Sequence, residues 1–276
     1  MTPAAFDPAD YIRELGQAGD GPHDIAHAAV MLSALDHVGR PLDPYLRHLA
    51  EVAEFAHAEA RITMTADEGA QALSALLAGR YGYDGDRLSY DDPGNADFLS
   101  VIDRRRGLPV ALGILYIHAA RAAGYEAAGL NTSGHFLLRI ALRGTDILID
   151  PFNGGAALDR DAMAAPPRMV TPSADDPRLA ESVSDTDVLL RLEGNLKLRV
   201  LQAGERPRAV EIAKRMVLIA PQRADLWIDL ARLDEGTGAL GAAQKAYEAC
   251  LALAPRGAPL HNEAALSLHA LKRRLN

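Results

Sequence analysis

Cysteine is nearly absent from this chain. Cys250 stands alone among 276 residues, so no disulfide can close within it, and the composition fits a reducing compartment. Aromatic residues are scarce at 5%, while Ala and Leu are abundant, which favours helix. No apolar run reaches the ~18 residues that a membrane-spanning helix needs. The opening MTPAAFDPADYIREL has no basic segment followed by an apolar one, so no secretory signal is expected, and a cytoplasmic location is. Long basic runs are missing too, the longest being Arg104-Arg105-Arg106 and Lys272-Arg273-Arg274, and the formal net charge is −8. Neither nucleic acid nor a membrane is therefore an expected partner. What remains, 49% hydrophobic and 24% charged residues, is ordinary for a soluble globular protein of one or two domains.

Residues 1–80 read as helices. Ile25, Val30, Met31, Leu32 and Leu35 recur near helical spacing behind Asp24, and Leu46, Leu49, Val52, Ala53 and Ala56 form a second stripe. Thr65-Ala66-Asp67-Glu68 matches a capping box ahead of a helix over 70–77, with Gly79 as its stop. From 80 onward Gly, Asp and Tyr dominate, which is loop chemistry. Pro109 then suits the first turn of a mostly apolar, buried helix over 110–123. Three strand-like runs follow at 127–131, 135–142 and 147–149, with Arg143-Gly144-Thr145-Asp146 as a hairpin turn. A buried helix followed by an antiparallel sheet predicts an α+β core. The stretch 156–183, rich in Ala, Pro, Asp and Ser, reads as a connector with room for one short helix.

The last third repeats itself. Pro221 and Pro255 lie 34 residues apart, the period of tetratricopeptide repeats. In that register Trp227, Leu230, Ala243, Tyr247 and Cys250 take the packing positions of one unit, with Leu196 and Ala209 in register one unit earlier. A small buried position makes Cys250 a packed hydrophobe rather than a reactive thiol.

Few residues suggest chemistry. His135 opens one strand and Asp150 closes the next, so a hairpin could bring imidazole and carboxylate within reach, as in a nucleophilic triad; the spacing alone favours a purely structural contact, or none. His23 and His27 could share a helical face as metal ligands do, but no third ligand is evident and no metal is expected. Arg104, Arg105 and Arg106 could bind an anion, or pair with Asp91, Asp92 and Asp103 in local salt bridges.

The ordered motifs Tyr90-Asp91-Asp92-Pro93-Gly94-Asn95, Asp103-Arg104-Arg105-Arg106-Gly107-Leu108-Pro109, Gly134-His135-Phe136-Leu137-Leu138-Arg139, Leu148-Ile149-Asp150-Pro151-Phe152-Asn153-Gly154-Gly155 and Asn195-Leu196-Lys197 resemble the SirB-type bacterial family, which is transglutaminase-like with C-terminal tetratricopeptide repeats. The resemblance implies an α+β fold: a helical N-terminal region and a papain-like core with a small antiparallel sheet over 1–160, a connector over 161–183, and an all-α repeat region over 184–276. It also implies that His135 and Asp150 match the catalytic His and Asp, and that the nucleophile belongs near the start of the buried helix, about four turns before Gly124. That position falls on Pro109, Val110 or Ala111. None of these carries a nucleophilic atom, and covalent acyl transfer requires one.

The chain is therefore expected to be a non-catalytic scaffold or regulator that binds a protein or peptide partner and needs no cofactor. Asp225, Ile228 and Arg232 are candidates to line a peptide groove, and Asn95, Arg104 and Arg106 to shape the old cleft. The alternative is a thiol-independent hydrolase or acyl transferase acting on amides through His135 and Asp150, with Ser133, Tyr116 or Tyr90 as polar helpers.

Overall fold

Asp24 and Thr65 signal helix starts, and the computed structural model, which describes residues 7–132, 135–158 and 182–275, places helices behind both. In chain order the helices are α1 (Pro8–Ala18), α2 (Ile25–Ala34), α3 (Asp43–Glu59), α4 (Ala66–Ser74), α5 (Phe98–Arg104), α6 (Pro109–Ala122), α7 (Asp185–Gln202), α8 (Arg206–Ile219), α9 (Ala224–Gly236), α10 (Leu240–Leu253) and α11 (Pro259–Leu275). The strands are β1 (Asp84–Gly85), β2 (Arg106–Gly107), β3 (Glu126–Thr132), β4 (His135–Leu142), β5 (Thr145–Asp150), β6 (Ala156–Leu158) and β7 (Ser182–Val183). The chain divides into two compact units, Asp20–Leu192 and Glu193–Asn276 with Met1–Gly19. Among the described residues no helix is long and apolar enough to cross a membrane.

In the first unit α6 is apolar on almost every side, and such a helix must be covered all round. Val110 through Ile117 are all buried. Helices α2, α3 and α5 and strands β3 and β4 all pack on it. The sheet is antiparallel in the order β6-β5-β4-β3-β7. Its junction with α6 depends on two glycines: a Cβ at Gly113 on α6 or at Gly129 on β3 would run into the buried ring of Phe136. The β4–β5 hairpin closes through Arg143 (φ 50°) and Gly144 (φ 81°), both left-handed as a two-residue type I′ turn requires. Leu142 then pairs with Thr145. This is the α+β core that the sequence predicts.

Some elements differ from the sequence reading. Helix α4 does not stop at Gly79 but continues as a wider π-helical turn over Ala75–Arg80, and the chain turns at Gly82 (φ 74°). Helix α5 lies in a stretch read as loop; it buries Phe98, Leu99, Val101 and Ile102, yet is too short for periodicity to reveal. Residues 159–181, most of the expected connector, lie outside the described residues.

In the second unit α8 packs on α9, α10 on α9, and α11 on α10, while Gly194 of α7 lies against Met216 of α8. Leu230, Ala243, Tyr247 and Cys250 are all buried, as the repeat register requires. The unit also takes in α1, whose Gly16 sits against the carbonyl of Leu218 on α8. The division between the two units falls inside α7 after Leu192, with α1 packed on α8 in one unit and Asp185, at the start of α7, held by Arg121 in the other.

Candidate functional site

The start of α6, where the resemblance locates a nucleophile, is tied down by the N–H of Leu108, which donates to the carbonyl of Asn95 at 2.9 Å. Pro109 occupies the first turn, and Val110, Ala111 and Leu112 are buried. Hydrocarbon fills this turn, so it presents no atom able to attack a carbonyl.

His135 opens β4 three residues before Leu138, and Asp150 closes β5 one residue beyond Ile149, the partner of Leu138. The antiparallel register thus puts both at the same end of neighbouring strands. The side chain of His135 lies outside the described residues, as does Ser133. Asp150 is 4% exposed. Its carboxylate accepts from the N–H of Phe152 at 2.9 Å and from the amide of Asn153 at 2.5 Å, capping the short turn Pro151–Asn153. Close by, Gly155 (φ 75°) brings its backbone against Tyr116 of α6, where a Cβ would stand 2.6 Å from the phenol oxygen. The Tyr116 hydroxyl is buried and has no hydrogen-bond partner among the described residues. Burial raises its pKa, with smaller contributions in the same direction from Asp84 and Asp150.

Asn95 and Arg104 brace the neighbouring loop. Buried Asn95 donates to the carbonyl of Ser89 at 2.6 Å and accepts from Arg104 at 3.0 Å. Arg104 also reaches Asp86 at 2.9 Å and Asp92 at 3.2 Å. The N–H of Ser89 is the main cause of the lowered pKa of Asp86, helped by Asn95, Leu88 N–H and Arg104. Arg106 is exposed and donates to the carbonyls of Gly82 and Arg105 at 2.8 and 2.9 Å. Arg87 ties the loop to the turn after Asp150 through Phe152 O at 3.1 Å and Asn153 Oδ1 at 2.6 Å. Tyr90 packs edge-on against the ring of Phe152. Of the Asp partners considered for the Arg cluster, Asp92 pairs with Arg104, whereas Asp103 pairs with Arg40.

A second cluster escapes sequence reasoning. Arg105 ends α5 in the left-handed region (φ 57°, ψ 27°). Its guanidinium donates to His48 Nε2 at 2.8 Å and to the Tyr83 hydroxyl, and lies 4.6 Å from the centre of the Tyr83 ring. His48 Nε2 also lies 2.7 Å from that hydroxyl. Burial first, and then the charge of Arg105, lowers the pKa of His48 to about 4. Asp103 meanwhile accepts from Arg40 at 2.5 Å and from the Tyr45 hydroxyl at 3.1 Å. No local motif signals this arrangement, because His48 and Arg105 are 57 residues apart; the only hint was the unusual run of arginines.

The remaining candidates are placed as follows. His23 precedes α2 rather than sharing a helical face with His27, and its N–H donates to Asp185. Among the described residues no group of three or more His, Cys, Asp or Glu could hold a metal ion. Cys250 is fully buried and burial raises its pKa. On α9, Asp225 and Arg232 are exposed, pairing with Arg223 and Glu263. Ile228 is 2% exposed: its side chain packs inside the repeats and cannot line a groove. Lys197 on α7 pairs with Asp229 on α9, and Arg232 on α9 with Glu263 on α11. These ion pairs link the first helices of successive repeats.

Comparison with known proteins adds two family matches. A model of the transglutaminase-like superfamily matches residues 43–194, and a tetratricopeptide repeat model matches residues 196–276. A UPF0162 protein of Xylella fastidiosa (strain Temecula1) is 32% identical over 159 residues, 56% of this chain and 57% of the relative. A UPF0162 protein of Vibrio cholerae is 35% identical over 100 residues, 35% of this chain and 37% of the relative. F-box only protein 21 of Mus musculus is 32% identical over 68 residues, 25% of this chain and 11% of that protein. The chain thus spans 57% of the length of the Xylella relatives it matches.

Proposed function

Given that this chain belongs to the transglutaminase-like superfamily and carries C-terminal tetratricopeptide repeats, we propose that it works as a non-catalytic scaffold or regulator that binds a protein or peptide partner through the repeats. One observation carries the reading. The first turn of α6 offers Pro109, Val110 and Ala111 where acyl transfer needs a nucleophile. The sole thiol, Cys250, is sealed inside the repeat unit. Stacked helix pairs present extended binding surfaces, and exposed Asp225 and Arg232 on α9 are the residues we assign to that surface. Asn95 and Arg104 keep a bracing role in the other unit.

A second reading rests on Asp150 and Tyr116. A buried carboxylate at the strand end adjoining His135, close to a phenol whose hydroxyl has no partner among the described residues, would suit general-base activation of water on an amide. Assays of ammonia or amine release from amide-bearing peptides separate the two. The scaffold reading expects no turnover by the full chain and no difference in His135→Ala. Turnover that disappears in His135→Ala overturns it.

A further inference from the structure

The Arg105 cluster opens onto a cavity of about 410 Å³, within the usual size range of small-ligand pockets. We propose that this cavity binds a monoanionic organic carboxylate with an apolar body, and that the Arg105 guanidinium is the group that holds the carboxylate. The proposal is independent of the scaffold reading, since every lining residue belongs to the unit 20–192.

Backbone conformation supplies the first argument. A left-handed backbone is strained for a non-glycine residue. Glycine would end α5 without that strain, whereas the residue at this position is an arginine that lines the cavity. The second argument is charge. No carboxylate of the described residues forms an ion pair with Arg105; its partners are His48, Tyr83 and the ring of Tyr81. His48 is neutral at pH 7 with its pKa near 4. Arg40, the other cation in the wall, is already paired with Asp103, and Glu51 accepts from Tyr81 and does not line the cavity. The wall therefore carries two positive charges and one negative. That excess of one suits a carboxylate, whereas a phosphate dianion would lack a second free cation. Pro41, Pro44 and Ile102 complete the wall and offer apolar surface to the body of the ligand.

The test is a ligand-observed NMR titration of the full chain with N-acetyl-leucine, N-acetyl-leucinamide and inorganic phosphate. Arg105→Asn keeps a residue that tolerates the left-handed backbone, and Arg47→Gln alters an exposed cation outside the cavity. The expected result is saturable binding of the acid, with the amide and the Arg105→Asn variant each weaker by about tenfold or more, and Arg47→Gln unchanged. A leucine-terminated peptide with a free C-terminus identifies a chain end as the natural occupant if it binds more tightly than N-acetyl-leucine, and a small free acid if it binds more weakly. The proposal is overturned if the acid shows no saturable binding, if the amide matches it, or if phosphate binds more tightly. Should Arg105→Asn lose its native spectrum, the comparison of acid with amide on the unmodified chain decides alone.

Discussion

Replacing Asp185 with Ala should destabilise the unit 20–192 more than any surface change. Asp185 is 5% exposed. One carboxylate oxygen accepts from Arg121 Nη1 at 2.7 Å and from the N–H of His23 at 2.8 Å, and the other from Arg121 Nη2 at 2.7 Å. Removing one member of a buried, bidentate ion pair costs about 3–5 kcal/mol when both partners are fully buried. The Arg121 side chain is 31% exposed and keeps its bonds to the carbonyls of His23 and Ala127, so water recovers part of its solvation. A loss of roughly 2–3 kcal/mol follows. In a unit of this size that lowers Tm by about 5–10 °C. Differential scanning calorimetry of the full chain reads it, with Asp185→Asn falling between wild type and Asp185→Ala. Amide exchange at the start of α7 should accelerate in the same variants. A Tm change under about 1 °C, or equal losses for Asn and Ala, would refute the assignment of this pair as the anchor of α7.

Four further outcomes are expected. Tyr116→Phe should be neutral or stabilising by up to about 1 kcal/mol in urea unfolding, because the buried hydroxyl has no partner to give up among the described residues; a clear loss would reveal a contact the account lacks. Gly155→Ala should cost about 2 kcal/mol or more in the same assay, from its positive φ and the approach of a Cβ to Tyr116. His48 is held near 4 against an ordinary value of 6.5, so the unfolded chain takes up this proton first; the stability it contributes is complete above pH 6.5 and lost as pH falls through about 4. Arg105 and His118 oppose the charge on His48 and Glu51 favours it. His48→Gln should therefore flatten the decline of the urea midpoint over that window, and an unchanged slope would contradict the shift. Cys250, buried and with a raised pKa, should resist alkylation at pH 8 in the folded chain and react only on unfolding.

Much of the architecture was legible because it is written in local pattern. The mostly apolar run at 110–123, the Arg143-Gly144 turn and the spacing of Pro221 and Pro255 each reflect one element and its immediate neighbours. The less legible parts depend on distant partners. Pairing of Asp84–Gly85 with Arg106–Gly107 involves strands too short to show alternation. Helix α1 looks like part of the N-terminal helices until its contact with α8, roughly 200 residues away in sequence, is known. The apolar residues Pro109–Ala111, where the resemblance implies a nucleophile, could be read directly, whereas the burial of Ile228 between exposed Asp225 and Arg232 could not, because three-residue spacing on a helix does not distinguish the face between repeats from the face toward solvent. The Arg105–His48–Tyr83 cluster had no local signature beyond the run of arginines.

The measurement closest to the central claim is partner capture from native lysate with the full chain, its Asp225→Ala/Arg232→Ala variant and its His135→Ala variant, each first shown to fold by circular dichroism. A repeat-borne scaffold predicts a specific protein retained by wild type and His135→Ala and lost by the α9 variant. A partner lost with His135→Ala and retained by the α9 variant would contradict it, placing recognition at the ends of β4 and β5 instead.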